Sequence, residues 1–137
     1  MHGRLTDRKL YWGLIGAQTM LSGGKGNVKD YAKAARQAGL DFVVFLEDFA
    51  KLDEEELQKL KDDCERYSDG EIMLYPGYRI KVNTGNNMFL YGFPVKFPPQ
   101  QILVGSDKKE LMLQYEKEPV VYTYGFAFDK VGYLSLV

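Results

Sequence analysis

The stretch AGLDFVVFLEDF, Ala38 to Phe49, decides the fold. Leu40 to Leu46 is an almost uninterrupted apolar and β-branched run, too short for a typical helix. Without polar alternation it predicts a strand covered on both faces. It then stops on two carboxylates, Glu47 and Asp48. In layered α/β folds, chemistry gathers beyond the carboxyl ends of strands, so this pair is a candidate site. A polar loop start is the simpler reading of the same two acids, and a lone pair offers fewer ligands than a metal ion needs.

Working outward, VKDYAKAARQAG before this strand reads as a helix. Asn27 is its cap, Val28, Tyr31, Ala32, Ala35 and Ala38 form one stripe, and Gly39 is the stop. Beyond the strand, Asp53 with Glu56 forms a capping box, and Leu57, Leu60, Cys64 and Tyr67 predict a second amphipathic helix ending near SDG. From Glu71 three short apolar runs surround a Pro-Gly break and an NTGNN turn, predicting strands near 72–75, 78–83 and 88–93. KFPPQQ is a proline-rich loop. Ser106 is placed to cap a third helix reaching about Lys117, which Pro119 ends. VVYTYGFAF and GYLSLV predict two further strands. The order predicts one α/β domain over 1–137, a mixed sheet with three helices, ending on a strand as though the fold continued in a longer protein or an assembly.

Eighteen basic against 19 acidic residues give a net charge of −1, so no long-range field favours nucleic acid. The single cysteine, Cys64, has no internal disulfide partner and falls on a helix stripe as a small hydrophobe. No apolar run has the length of a membrane span and MHGRLTDRKLYWG has no signal-peptide core, so the chain reads as soluble and by default cytoplasmic. GGKG, Gly23 to Gly26, has the composition of a phosphate loop but not its spacing.

The stretch LIGAQTMLSGGKGNVKDYAKAARQAGLDFVVFLEDF resembles the opening of the polymerase and histidinol phosphatase (PHP) superfamily, whose members begin close to DLHVHTxYSDG and reach a TDH triplet. Thr19, Ser22, Gly24, Asn27, Tyr31 and Gly39-Leu40-Asp41 fall in register without a gap. LYPGYRIKVNTGNNMFLYGF resembles the family's PGxE segment and the strand after it. The resemblance implies about the first half of a distorted βα barrel. It also implies the site positions at which members hold metal ions and hydrolyse phosphoesters. Here those positions are Gly16 and Gln18 for the first paired histidines, Glu47 and Asp48 in the triplet, Arg79 for the glutamate, and Asn87 for the histidine after the turn.

Only Glu47 keeps a ligand type, Arg79 places a fixed cation among the positions, and the one histidine, His2, lies at the terminus. The expectation is a catalytically inactive PHP-like domain with no catalytic residues, metal or cofactor, acting as a binding or scaffolding module. The alternative is a hydrolase of phosphoester or glycan-linked substrates using the residual polar groups. Arg79 either pairs with Glu47 or Asp48 in place of a metal, or faces solvent. Tyr122, Tyr124, Phe126 and Phe128 alternate along one strand as a packed face or an interface. With the sheet edge, they predict a homo-oligomer or larger assembly.

Overall fold

A computed structural model of the chain describes residues 10–83, 85–112 and, by their backbone, 133–136. The fold is mixed α/β, as predicted. Strand β1 (Gly13–Ala17), helix α1 (Val28–Ala38), β2 (Phe42–Phe45), the two-residue β3 (Glu47–Asp48), α2 (Glu54–Tyr67) and β4 (Met73–Tyr75) form the first half. Then come β5 (Gly77–Val82), β6 (Asn87–Tyr91), β7 (Leu103–Val104), β8 (Glu110–Leu111) and β9 (Tyr133–Leu136).

Both helices start where their caps require. Asn27 accepts from the Asp30 amide and Asp30 returns the bond, while Asp53 and Glu56 do the same for α2. Gly39 ends α1 in the left-handed region at φ 75°. The stripe residues Val28, Ala32 and Ala35 of α1 and Leu57, Leu60 and Cys64 of α2 are buried, as read from the spacing, whereas Ala38, the last residue placed on the α1 stripe, is exposed next to the Gly39 cap.

Two sheets organise the strands. The first is parallel, in the order β1-β2-β4, with Val43 between Leu14 and Leu74. The second runs β7-β8-β5-β6-β9, with β3 also pairing along β5. The chain passes from one sheet to the other at Leu46, between β2 and β3, and at Pro76, between β4 and β5. No closed barrel forms among the described residues. The core joins both halves: Val43, Phe45 and Leu74 from the first sheet meet Tyr78, Ile80 and Val82 from the second.

The apolar run of β2 is buried on both faces, as expected: Val43 and Phe45 enter the main core, and Val44 on the other side is only 3% exposed although it borders, with half-buried Phe42, an open groove of about 690 Å³. One expectation is corrected. The third helix does not start at Ser106. Gly105 (φ 96°) and Lys108 (φ 60°) turn the chain, and Asp107 accepts from the Lys109 amide, so that β8 folds back antiparallel on β7. This puts Leu103 opposite Leu111, both buried, a pairing a helix would forgo. Residues 113–117 of that expected helix, and the expected strand at VVYTYGFAF, lie outside the described residues.

Gly77 stands where the sheets meet. A methyl group there would sit 2.6 Å from the Leu90 carbonyl oxygen and 2.7 Å from that of Phe45, both backbone atoms with little freedom to yield. Gly77→Ala is expected to destabilise the fold by about 1–3 kcal/mol. Gly70→Ala, where nothing lies within 4 Å, should stay within about 0.5 kcal/mol in the same urea titrations.

Candidate functional site

The loop after β1 is built to bring donors to the end of β2. Gly16 forms a bulge in β1 at φ 107°, a backbone conformation that glycine tolerates best. Thr19 then opens a short turn, its hydroxyl accepting from the Leu21 amide and its carbonyl from the Ser22 and Gly24 amides. The chain passes so close to itself that a methyl group on Gly24 would lie 1.9 Å from the Gln18 carbonyl oxygen. Gln18 holds the same turn by donating through its amide to the Ser22 carbonyl, and the Tyr31 hydroxyl donates to the Gln18 carbonyl.

Glu47 is the acceptor at the centre. Its side chain is fully buried, and both oxygens are used. Oε1 accepts from the Thr19 amide at 3.1 Å and the Ser22 hydroxyl at 2.6 Å. Oε2 accepts from the Thr19 amide at 3.2 Å and the Thr19 hydroxyl at 2.8 Å. The Ser22 hydroxyl in turn accepts from the Asp48 amide. Burial pushes the Glu47 carboxyl above its ordinary value of 4.5, the bonds from Ser22 and Thr19 pull it down, and Glu56 adds a smaller upward push.

The expected positions divide between two places. Gly16, Gln18 and Glu47 belong to this loop and strand end. Asp48, Arg79 and Asn87 line a separate polar cleft of about 250 Å³, together with Lys81, Asp107, Lys109 and Glu110. The register explains the division: Glu47 lies opposite buried Tyr78, and Asp48 lies opposite exposed Arg79. Glu47 and Arg79 therefore point to opposite faces of the second sheet. Among the described residues Arg79 forms no ion pair with either acid, which overturns the pairing and leaves the exposed alternative. Asp48 instead caps the turn at Phe49–Lys51, accepting from the Ala50 amide.

Thr19 and Ser22 matched only as registered positions in the sequence, and their role as donors to Glu47 was not read from it. Lys81 and Lys109 were missed as well. The alternation of YRIKV puts Lys81 beside Arg79 and was the available signal; nothing local marks Lys109, whose ammonium donates to the Leu52 carbonyl and lies 5.2 Å from the Phe49 ring centroid. Among the described residues no three His, Cys, Asp or Glu side chains gather as a metal-holding group. His2 and the Tyr122 to Phe128 series lie outside the described residues.

No family model matches the chain. No curated protein matches it either. Among solved structures it is similar to a proposed metal-dependent phosphoesterase from Bifidobacterium adolescentis ATCC 15703, with a TM-score of 0.46 and 16% identity. The match covers 61% of this chain and 28% of that one, a likeness that assigns no activity here.

Removing the Glu47 carboxylate strands three buried donors. Glu47→Ala is expected to cost about 3 kcal/mol or more in chemical denaturation. The titration has a definite sign. Because the folded-state pKa is raised, the folded chain holds this proton more tightly, and the contribution of Glu47 to stability falls as pH rises from 4.5 through that raised value. In Glu47→Gln this fall should disappear from the pH profile, leaving a flatter curve over the same window.

Proposed function

We propose that the chain is a catalytically silent, metal-free PHP-like module that serves in binding or scaffolding within an assembly. The observation that supports this most strongly is the use of both Glu47 oxygens by Thr19 and Ser22. Glu47 alone kept a ligand type at its family position, and its lone pairs are spent inside the protein. The other positions fit a metal centre no better. Gly16 is a bulge without a side chain, Gln18 donates to Ser22, Asp48 caps a turn, and Arg79 brings a positive charge. These residues do not fit a multinuclear metal site, and no reaction step is routed through one.

Assembly is supported by the surface of the first sheet. Strand β1 is paired only with β2 among the described residues, and Leu10, Tyr11, Trp12, Leu14 and Ile15 around it are between 43% and 77% exposed. Contiguous apolar exposure of this kind marks interaction surfaces. No helix among the described residues is long and apolar enough to cross a membrane.

The polar cleft favours a second reading, hydrolysis of an anionic ester held by Arg79, Lys81 and Lys109 with Asp48 as base. The two readings separate in one preparation. Purified chain exposed to Zn, Mn and Fe is expected to carry far less than one metal per chain, to melt at the same temperature with and without EDTA, and to gain mass with concentration in sedimentation. Turnover of p-nitrophenyl phosphate that Arg79→Ala abolishes would favour hydrolysis instead, and near-stoichiometric metal would contradict the silent module.

A further inference from the structure

On the side of the first sheet that the helices leave open lies the groove of about 690 Å³, a volume in the range of small-molecule sites. Its floor is aliphatic, from Ile15, Val44 and Met73. Four aromatic residues also line it, Tyr11, Phe42, Tyr75 and Tyr91. Two carboxylates, Asp41 and Glu71, are the charged groups of its lining, and no described lining residue is basic. Asp41 is held in place by the Trp12 amide, which donates to Oδ2 at 2.9 Å. The neighbouring Asp69 is already paired with Arg36 and adds little to the field.

This combination selects by charge. Ring faces carry negative potential and attract a cation within about 6 Å of a centroid. The two carboxylates add to that attraction, and they repel an anion across the same mouth. An aliphatic floor favours a ligand with an apolar body over a small hydrated ion, whose water it cannot replace. We infer that this groove binds an organic cation with an apolar body, of the quaternary or alkyl ammonium class. The site is separate from the polar cleft and from Glu47, but it shares Tyr11 and Ile15 with the apolar face proposed for assembly, so the probes are titrated at a concentration where sedimentation shows the monomer.

The test uses the whole chain and three small probes of similar size: benzyltrimethylammonium, neutral benzyl alcohol and anionic benzenesulfonate. Amide shifts of Phe42, Met73 and Tyr75 and the fluorescence of Trp12, the chain's single tryptophan, report binding. The cation is expected to bind saturably in the millimolar range, at least about fivefold tighter than either control. Glu71→Gln, at an exposed position, should weaken it roughly threefold and reduce its salt sensitivity. Tyr75→Leu should weaken it further while keeping apolar bulk; if that variant melts early, Glu71→Gln carries the test. Equal binding of the three probes would reduce the groove to a plain apolar patch and overturn the inference. Absence of saturable binding through the millimolar range would overturn it too.

Discussion

The hydrogen bonds from Thr19 and Ser22 to the Glu47 carboxylate hold the candidate site together. They tie the loop after β1 to the junction where the chain leaves the first sheet for the second. A buried carboxylate is costly unless its oxygens are satisfied. Here one amide and two hydroxyls meet them, so loop and strand end are bound as one unit. The chain beyond Glu47 inherits this geometry: Asp48, held by Ser22, is directed outward to cap the next turn, and β3 lies along β5 in a register that leaves Arg79 on the outer face.

The two sheets divide the surface into regions of different chemistry. The second carries charge of both signs around Asp48, Arg79 and Lys81, while the first exposes aromatic and aliphatic side chains beside two acids. Both arise from simple patterns. Alternation in β5 buries Tyr78, Ile80 and Val82 and turns Arg79 and Lys81 out. The unbroken run in β2 has apolar groups on both sides, though helices cover only one. The exposed apolar groups of this sheet, Leu14, Ile15 and Met73, belong instead to the flanking strands β1 and β4.

Local chemistry made much of this legible. Both helices, with their capping boxes, and the three strands after Glu71 were readable because caps, stripes and turn residues act within a few positions. The helix expected from Ser106 was not, because a cap residue is equally at home in a turn and the deciding interaction, Leu111 against Leu103, comes from the partner strand. At the site, the sequence marked Glu47 and Asp48 but not their separation to opposite faces. That separation comes from the β3 register on β5, a contact between segments some 30 residues apart. The donors Thr19 and Ser22 were in register with a family pattern, yet only folding shows that they converge on one carboxylate.

The central claim is that the Glu47 carboxylate is consumed by the protein's own donors rather than offered to an ion. A titration with paramagnetic Mn²⁺, followed through the amide signals of Thr19, Ser22 and Asp48 in the folded chain, tests it most directly. The expected result is no selective broadening of these three signals at one equivalent of the ion. Broadening centred on them at that stoichiometry would contradict it, because the ion would then be displacing the donors from Glu47.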